Sequence, residues 1–254
     1  MKKENLYLST VDSRAGELAR KYGLGLELAE FCTAWNLDDE FPQTDAKVRK
    51  EMAGLDRFTL HGPYNELFPC AIDKKARRLA RDRYLETLDI ARGYGIRKII
   101  LHGGFNPYLY FPIWFTEQST LFFKDFVRDI PEDMTVCLEN VLEPEPKVLT
   151  DILQAVDDPR LRMCLDVGHA QAYSEVSPEG WIRQARDFIA HFHVHNNDGT
   201  HDLHGPLMDG VISMPSLFKN IQQLCPEATV TLEIPDAASS LLYMQKNHLL
   251  EEST

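Results

Sequence analysis

Six residues able to bind a metal or move a proton each close a short apolar run. They are His61 in RFTLHGPY, His102 in KIILHGG, Glu139 in TVCLEN, Asp166 in RMCLDVGH, His193 in HFHVHNND and Glu233 in VTLEIPD. Carboxylates and imidazoles serve both as ligands for divalent cations and as general acids and bases. A (β/α) barrel delivers the last residue of every strand to one mouth, so this pattern points first to metal-dependent catalysis at a barrel rim. Glu139, Asp166, His193 and Glu233 end four successive runs, at spacings of 27, 27 and 40 residues, each close to one β/α unit. Three carboxylates and one imidazole form an oxygen-rich set suited to Mn²⁺, Mg²⁺, Co²⁺ or Zn²⁺, with open positions for a substrate.

The elements that must position these residues follow from hydrophobic periodicity. Strands are predicted at about 5–10, 24–29, 57–61, 98–102, 135–139, 161–166, 190–195 and 228–234. Between them, helices are predicted over 73–94, 116–129, 146–156, 178–189, 215–224 and 237–249, with weaker ones at 16–22 and 45–52. Several open on a proline suited to a first helical turn. Eight alternations of strand and helix predict a (β/α)8 TIM barrel, one domain over residues 1–254. Strand alternation gives a second test. With the metal-type residues inward, the outward positions are Phe58/Leu60, Ile99/Leu101, Val136/Leu138, Met163/Leu165, Phe192/Val194 and Val230/Leu232, all apolar. Their inward companions are Thr59, Ile100, Cys137, Cys164, His191 and Thr231, smaller or more polar.

Composition bounds the partners. The 254 residues carry a net charge of −12, which supplies no general attraction to nucleic acid or anionic membrane. The N-terminal MKKENLYLSTVDSR has neither a signal-peptide nor a membrane-span pattern, so a cytoplasmic protein is expected. Five cysteines without a CxxC pair argue against a disulfide framework and a thiolate zinc site. Self-association is left open.

From about residue 57 to 235, and most specifically in LDVGH and HVHNND, the chain resembles the xylose isomerase-like barrels. That superfamily includes sugar and sugar-phosphate isomerases and epimerases, and also endonuclease IV. By resemblance to the ketose 3-epimerases, Glu139, Asp166, His193 and Glu233 would bind one metal, and His169 would touch substrate. Glu139 and Glu233 would also act as acid and base on opposite faces of the substrate. The resemblance to endonuclease IV implies up to three zinc ions, with His61, His102, His169, Asp202 and His204 as further metal or substrate ligands. The first likeness implies an isomerase or epimerase of sugars or sugar phosphates that works through an enediolate with one divalent ion. The alternative is a trinuclear-zinc phosphodiesterase that cleaves at abasic sites.

The chain departs from both patterns: the missing wedge and the acidic charge favour the sugar chemistry, while the full ligand set favours the endonuclease. Asn65 stands where the endonuclease carries an apolar wedge, and the rim loops have no basic, aromatic-interleaved patch. No lysine follows any of strands 5 to 8 within a few residues, and the epimerases' arginine after strand 7 is replaced around Gly199, which leaves that substrate contact unfilled. The aromatic segment FNPYLYFPIWF (105–115) is read as an exposed loop, a lid over a sugar ring or a plug or dimer contact. Glu27 is placed near the rim of strand 2, with a supporting role open. His191 is expected as a satisfied core histidine and His195 as a rim or substrate contact.

Overall fold

In the computed structural model, which describes residues 1–251, eight parallel strands close into a barrel in chain order. They are β1 Leu6–Ser9, β2 Gly25–Leu28, β3 Phe58–His61, β4 Lys98–His102, β5 Thr135–Glu139, β6 Leu161–Asp166, β7 Ile189–Val194 and β8 Thr229–Leu232. β8 pairs with β1 through Leu6–Val230 and Leu8–Leu232, so no strand edge is left open. The (β/α)8 expectation holds, with every strand bound within two residues of its predicted place. The last three residues of the expected domain lie outside the described residues.

The helices are α1 Ala15–Tyr22, α2 Ala34–Asp38, α3 Phe41–Met52, α4 Lys74–Gly93, α5 Pro112–Phe126, α6 Lys147–Val156, α7 Val167–Tyr173, α8 Pro178–Ala185, α9 Met214–Leu224 and α10 Ala237–Lys246. Among the described residues none is long and apolar enough to cross a membrane. Two differ from expectation in ways that bear on the mouth. α5 begins at Pro112, where proline's fixed φ suits a first turn, so the aromatic segment is only partly loop. Phe105 and Phe115 from its two ends are buried against each other, ring centroids 5.0 Å apart, while Tyr108 and Phe111 between them are 93% and 81% exposed. α7 has no counterpart among the predicted helices. It follows β6 directly and is started by the Asp166 carboxylate, which accepts from the His169 backbone N–H at 2.6 Å.

The predicted alternation is realised as two separate apolar layers. Leu60, Ile99, Leu101, Val136, Leu138, Met163, Leu165, Phe192, Val194, Val230 and Leu232 join the large core between strands and helices, with half-buried Phe58 packed on it. Ile100, Cys137 and Cys164 form a small cluster of their own inside the barrel. Burying that outer layer supplies most of the driving force, at roughly 25 cal/mol per Å² of apolar surface.

One irregularity sets the register of the site. Met163 pairs with Ile189 but Cys164 pairs with His191, so β7 takes up one extra residue, Ala190. Beyond that bulge Asp166 lies opposite His193. A one-residue slip reverses every side chain on a strand, so without the extra residue Phe192 would face the mouth in place of His193.

Candidate metal centre at the barrel mouth

The sequence quartet converges. Glu139 and Asp166 end their strands, His193 is the penultimate residue of β7, and Glu233 follows β8 by one residue, its N–H held by Val194 O at 3.3 Å. One ligand atom from each of the four lies within 4.8 Å of the others. The centre of the arrangement is His193 Nδ1, which stands 3.1 Å from Glu139 Oε1, 3.2 Å from Glu233 Oε2 and 3.9 Å from Asp166 Oδ2. Asp166 divides its work, since Oδ1 caps α7 while Oδ2 is buried without a hydrogen bond. Its backbone is pinned by Asn140, which accepts from Asp166 N–H at 2.8 Å and donates to Asp166 O at 3.0 Å.

Like charges this close repel unless cations intervene. Burial alone would raise all three carboxyls, yet each lies below its ordinary range. His193 and His102 hold Glu139 well down, His193 holds Glu233 down, and His169 with His195 brings Asp166 to about 2. The surrounding histidine side chains thus stand where a divalent ion would act on these carboxylates. An orphaned carboxylate oxygen, two further carboxylates and an imidazole nitrogen on one point fit such an ion.

The flanking residues form two further groups. His61 Nδ1 lies 2.9 Å from Gly62 O and Nε2 lies 3.1 Å from Glu139 Oε2, and because a carbonyl and a carboxylate can only accept, both ring nitrogens donate when no ion is bound. His102 Nε2 lies 3.3 Å from the same oxygen, with the Tyr64 ring stacked on His102 at 4.5 Å. On the other side His169, His195, Asp202 and His204 form a cluster within 4.8 Å. His169 Nδ1 and His204 Nδ1 face the carbonyls of Asn140 and Glu233, both at 2.9 Å, and both Nε2 atoms stand 3.2 Å from Asp202 Oδ2. Donating one ring nitrogen to a carbonyl leaves the other fixed for a ligand. His204 holds a left-handed backbone, φ 46°, a strained state for a residue with a side chain. Asn196 shapes its loop by donating to Leu207 O and Ile212 O at 3.0 and 3.1 Å.

Every residue of the sequence-derived set therefore lies at one mouth, and two expectations are corrected. His195 is not a rim contact but fully buried, its Nε2 3.2 Å from Asp166 Oδ1 and 3.4 Å from Asp202 Oδ1. Glu27 is likewise fully buried, below the quartet inside the barrel, because it pairs with Thr59, two residues before His61 reaches the mouth. Sequence reasoning missed Glu143, whose buried carboxyl is pushed up to about 7 by burial and accepts from Val141 N–H at 2.6 Å. The run LENVLE offered only its second acid as a signal. It also missed Cys32, whose Sγ lies 3.3 Å from His61 Nδ1. A groove of about 950 Å³, lined by residues such as Phe41, Arg83 and Tyr94, runs between helices outside the barrel and holds none of this chemistry.

Barrel and mouth together define a TIM barrel of the type that gathers carboxylate and histidine ligands at its strand ends. The profile of one such family, described as xylose isomerase-like TIM barrel, matches residues 17–253, and the chain belongs to that family. Among relatives by sequence, uncharacterized proteins MJ1311 and MJ1188 of Methanocaldococcus jannaschii are 24% and 28% identical. The matches cover 71% and 82% of this chain and 66% and 77% of theirs. A D-tagatose 3-epimerase-like protein superposes with a TM-score of 0.79 at 17% identity, covering 95% of this chain and 96% of its own. The TTHB071 protein from Thermus thermophilus, from a crystal soaked with ZnCl2, gives 0.73 at 24%, covering 95% and 97%. At these identities the likeness to both structures is one of fold.

Proposed function

We propose that the protein is a divalent-metal-dependent isomerase or epimerase of a sugar or sugar phosphate, working by proton transfer through an enediolate. The observation that carries this is the meeting of Glu139, Asp166, Glu233 and His193 Nδ1 on one point, with Asp166 Oδ2 buried and unpartnered. The epimerase-like neighbour and the zinc-soaked one are consistent with it. A bound divalent ion, Mn²⁺, Co²⁺, Zn²⁺ or Mg²⁺, would polarise substrate oxygens and raise the acidity of the adjacent carbon-bound hydrogen. Glu139 and Glu233, both ionised at neutral pH, would serve as the proton-accepting and proton-returning pair. Asp166 and His193 would complete the ligand set, and His169, whose Nδ1 lies 3.5 Å from Glu139 Oε1, would meet a substrate hydroxyl.

The test is incubation in D₂O with ketoses, ketose phosphates and inosose-type ketones, following loss of the α-proton NMR signal. Exchange is expected with at least one of them, falling sharply in Glu139→Gln and Glu233→Gln variants loaded with metal. Asp166→Ala should strip the metal. Wild-type protein that holds no metal after supplementation with Mn²⁺, Co²⁺ and Zn²⁺ ends this reading.

A second reading is favoured by the clusters that flank the quartet. His61 and His102 meet Glu139 Oε2, and His169, His195, Asp202 and His204 form a separate group, more ligands than one ion needs. Two or three metals per chain, with incision of an abasic-site duplex and no exchange across the ketone panel, would establish phosphodiester hydrolysis instead.

A further inference from the structure

Beneath the quartet the barrel interior carries a polar column where apolar side-chain layers are usual. Glu27 is its centre. Its Oε2 accepts from Thr59 Oγ1 at 2.8 Å, Thr231 Oγ1 at 2.9 Å and His191 Nε2 at 3.1 Å. Below, Lys98 Nζ donates to Thr229 Oγ1 at 2.7 Å, and that hydroxyl lies 2.6 Å from His191 Nδ1. A carboxylate can only accept, so His191 presents Nε2–H to Glu27 and takes the Thr229 proton at Nδ1. Three donors saturate Oε2 and fix the plane of the carboxylate.

Oε1 is left for one neighbour, His193 Nε2, 2.9 Å away. Glu27 Oε1 and His193 Nε2 are both buried, and neither has an aligned hydrogen bond elsewhere. At that separation a small ring rotation satisfies both. The opposite nitrogen, Nδ1, is the one that faces Glu139, Glu233 and Asp166.

We infer that Glu27 is a positioning residue for the metal centre: from inside the barrel it holds the proton of His193 on Nε2 and so keeps Nδ1 bare for the ion. This rests on the metal reading of the quartet. Glu27 itself touches neither metal nor substrate. Partners of this kind, behind a ligating histidine, set its tautomer and ring orientation and change metal affinity by about 10–100-fold.

Glu27→Gln makes a sharp test because the amide cannot serve both sides. Three donors at the Oε2 position demand the amide oxygen there, which turns the NH2 toward His193 Nε2 and favours a proton on Nδ1, the wrong nitrogen for ligation. With selectively ¹⁵N-histidine-labelled, Zn²⁺-loaded protein, wild type is expected to show His193 ligated through Nδ1, with a slowly exchanging Nε2–H proton far downfield. In Glu27→Gln that proton should move upfield or vanish, and Zn²⁺ affinity by chelator competition should fall about 10–100-fold at an unchanged circular dichroism spectrum. Wild-type His193 ligated through Nε2 overturns the inference without need of a variant, as does equal zinc affinity in Glu27→Gln and wild type. In either case, zinc bound by wild type and lost in Asp166→Ala leaves the metal reading standing. A wild type without zinc by elemental analysis removes both.

Discussion

Gly168 backs directly onto the imidazole of His195. A Cβ built at Gly168 would overlap ring atoms Cε1, Nε2 and Nδ1 at once, so the glycine of LDVGH is what allows that ring to lie fully buried beside Asp166 and Asp202. Asn197 Nδ2 donates to Gly168 O at 2.9 Å and fixes the close approach.

Gly168→Ala is therefore expected to destabilise the fold by about 1–3 kcal/mol, the usual result of inserting a methyl into a packed site. A urea titration with an unchanged slope and a lower midpoint would show it. The same variant should lose any zinc held by His169, His195, Asp202 and His204 while the quartet keeps its own, a difference read by metal content per chain.

Glu143 gives a pH signature. Burial raises its folded value to about 7 from an ordinary 4.5. Below about pH 4.5 both states hold the proton and the group is neutral in the balance. Between 4.5 and 7 only the folded state keeps it, so the unfolded chain gains and stability falls as pH rises. Glu143→Gln keeps an acceptor for Val141 N–H and removes this loss. Relative to wild type it should gain up to about 3 kcal/mol at pH 8 and nothing at pH 4, by denaturant unfolding at both. A constant difference at the two pH values would contradict the assignment.

Metal uptake should release protons. In the ion-free state burial would lower His169 and His204, but Asp166 with Asp202 raises the first to about 10, and Asp202 with Glu233 raises the second to about 9. Both are then protonated at neutral pH, and a ligating Nε2 must give its proton up. Calorimetric titration with Zn²⁺ in buffers of different ionisation enthalpy should show net release at pH 7, and affinity should rise with pH through 9. Release of no protons would exclude these two histidines as ligands.

The sequence alone determined the barrel and which side chains its strands would gather at the mouth. Strand alternation is a local, one-dimensional property, and apolar outward positions with His, Glu and Asp inward can be counted along the chain, as in KIILH and TVCLE. Helix bounds were less legible where a cap decided them. α7 exists because the Asp166 carboxylate folds back on His169 N–H, and α5 starts early because Pro112 can open a turn. What only the tertiary structure decided is depth and pairing. A strand of four residues gives no sign of how far Glu27 sits below the rim, and HVHNND gives no sign that His195 is buried. Both follow from barrel stagger and from the extra residue in β7 that sets His193 opposite Asp166. The contact between Glu27 Oε1 and His193 Nε2 joins residues 166 positions apart, and only closure of β1 on β8 brings them within 2.9 Å.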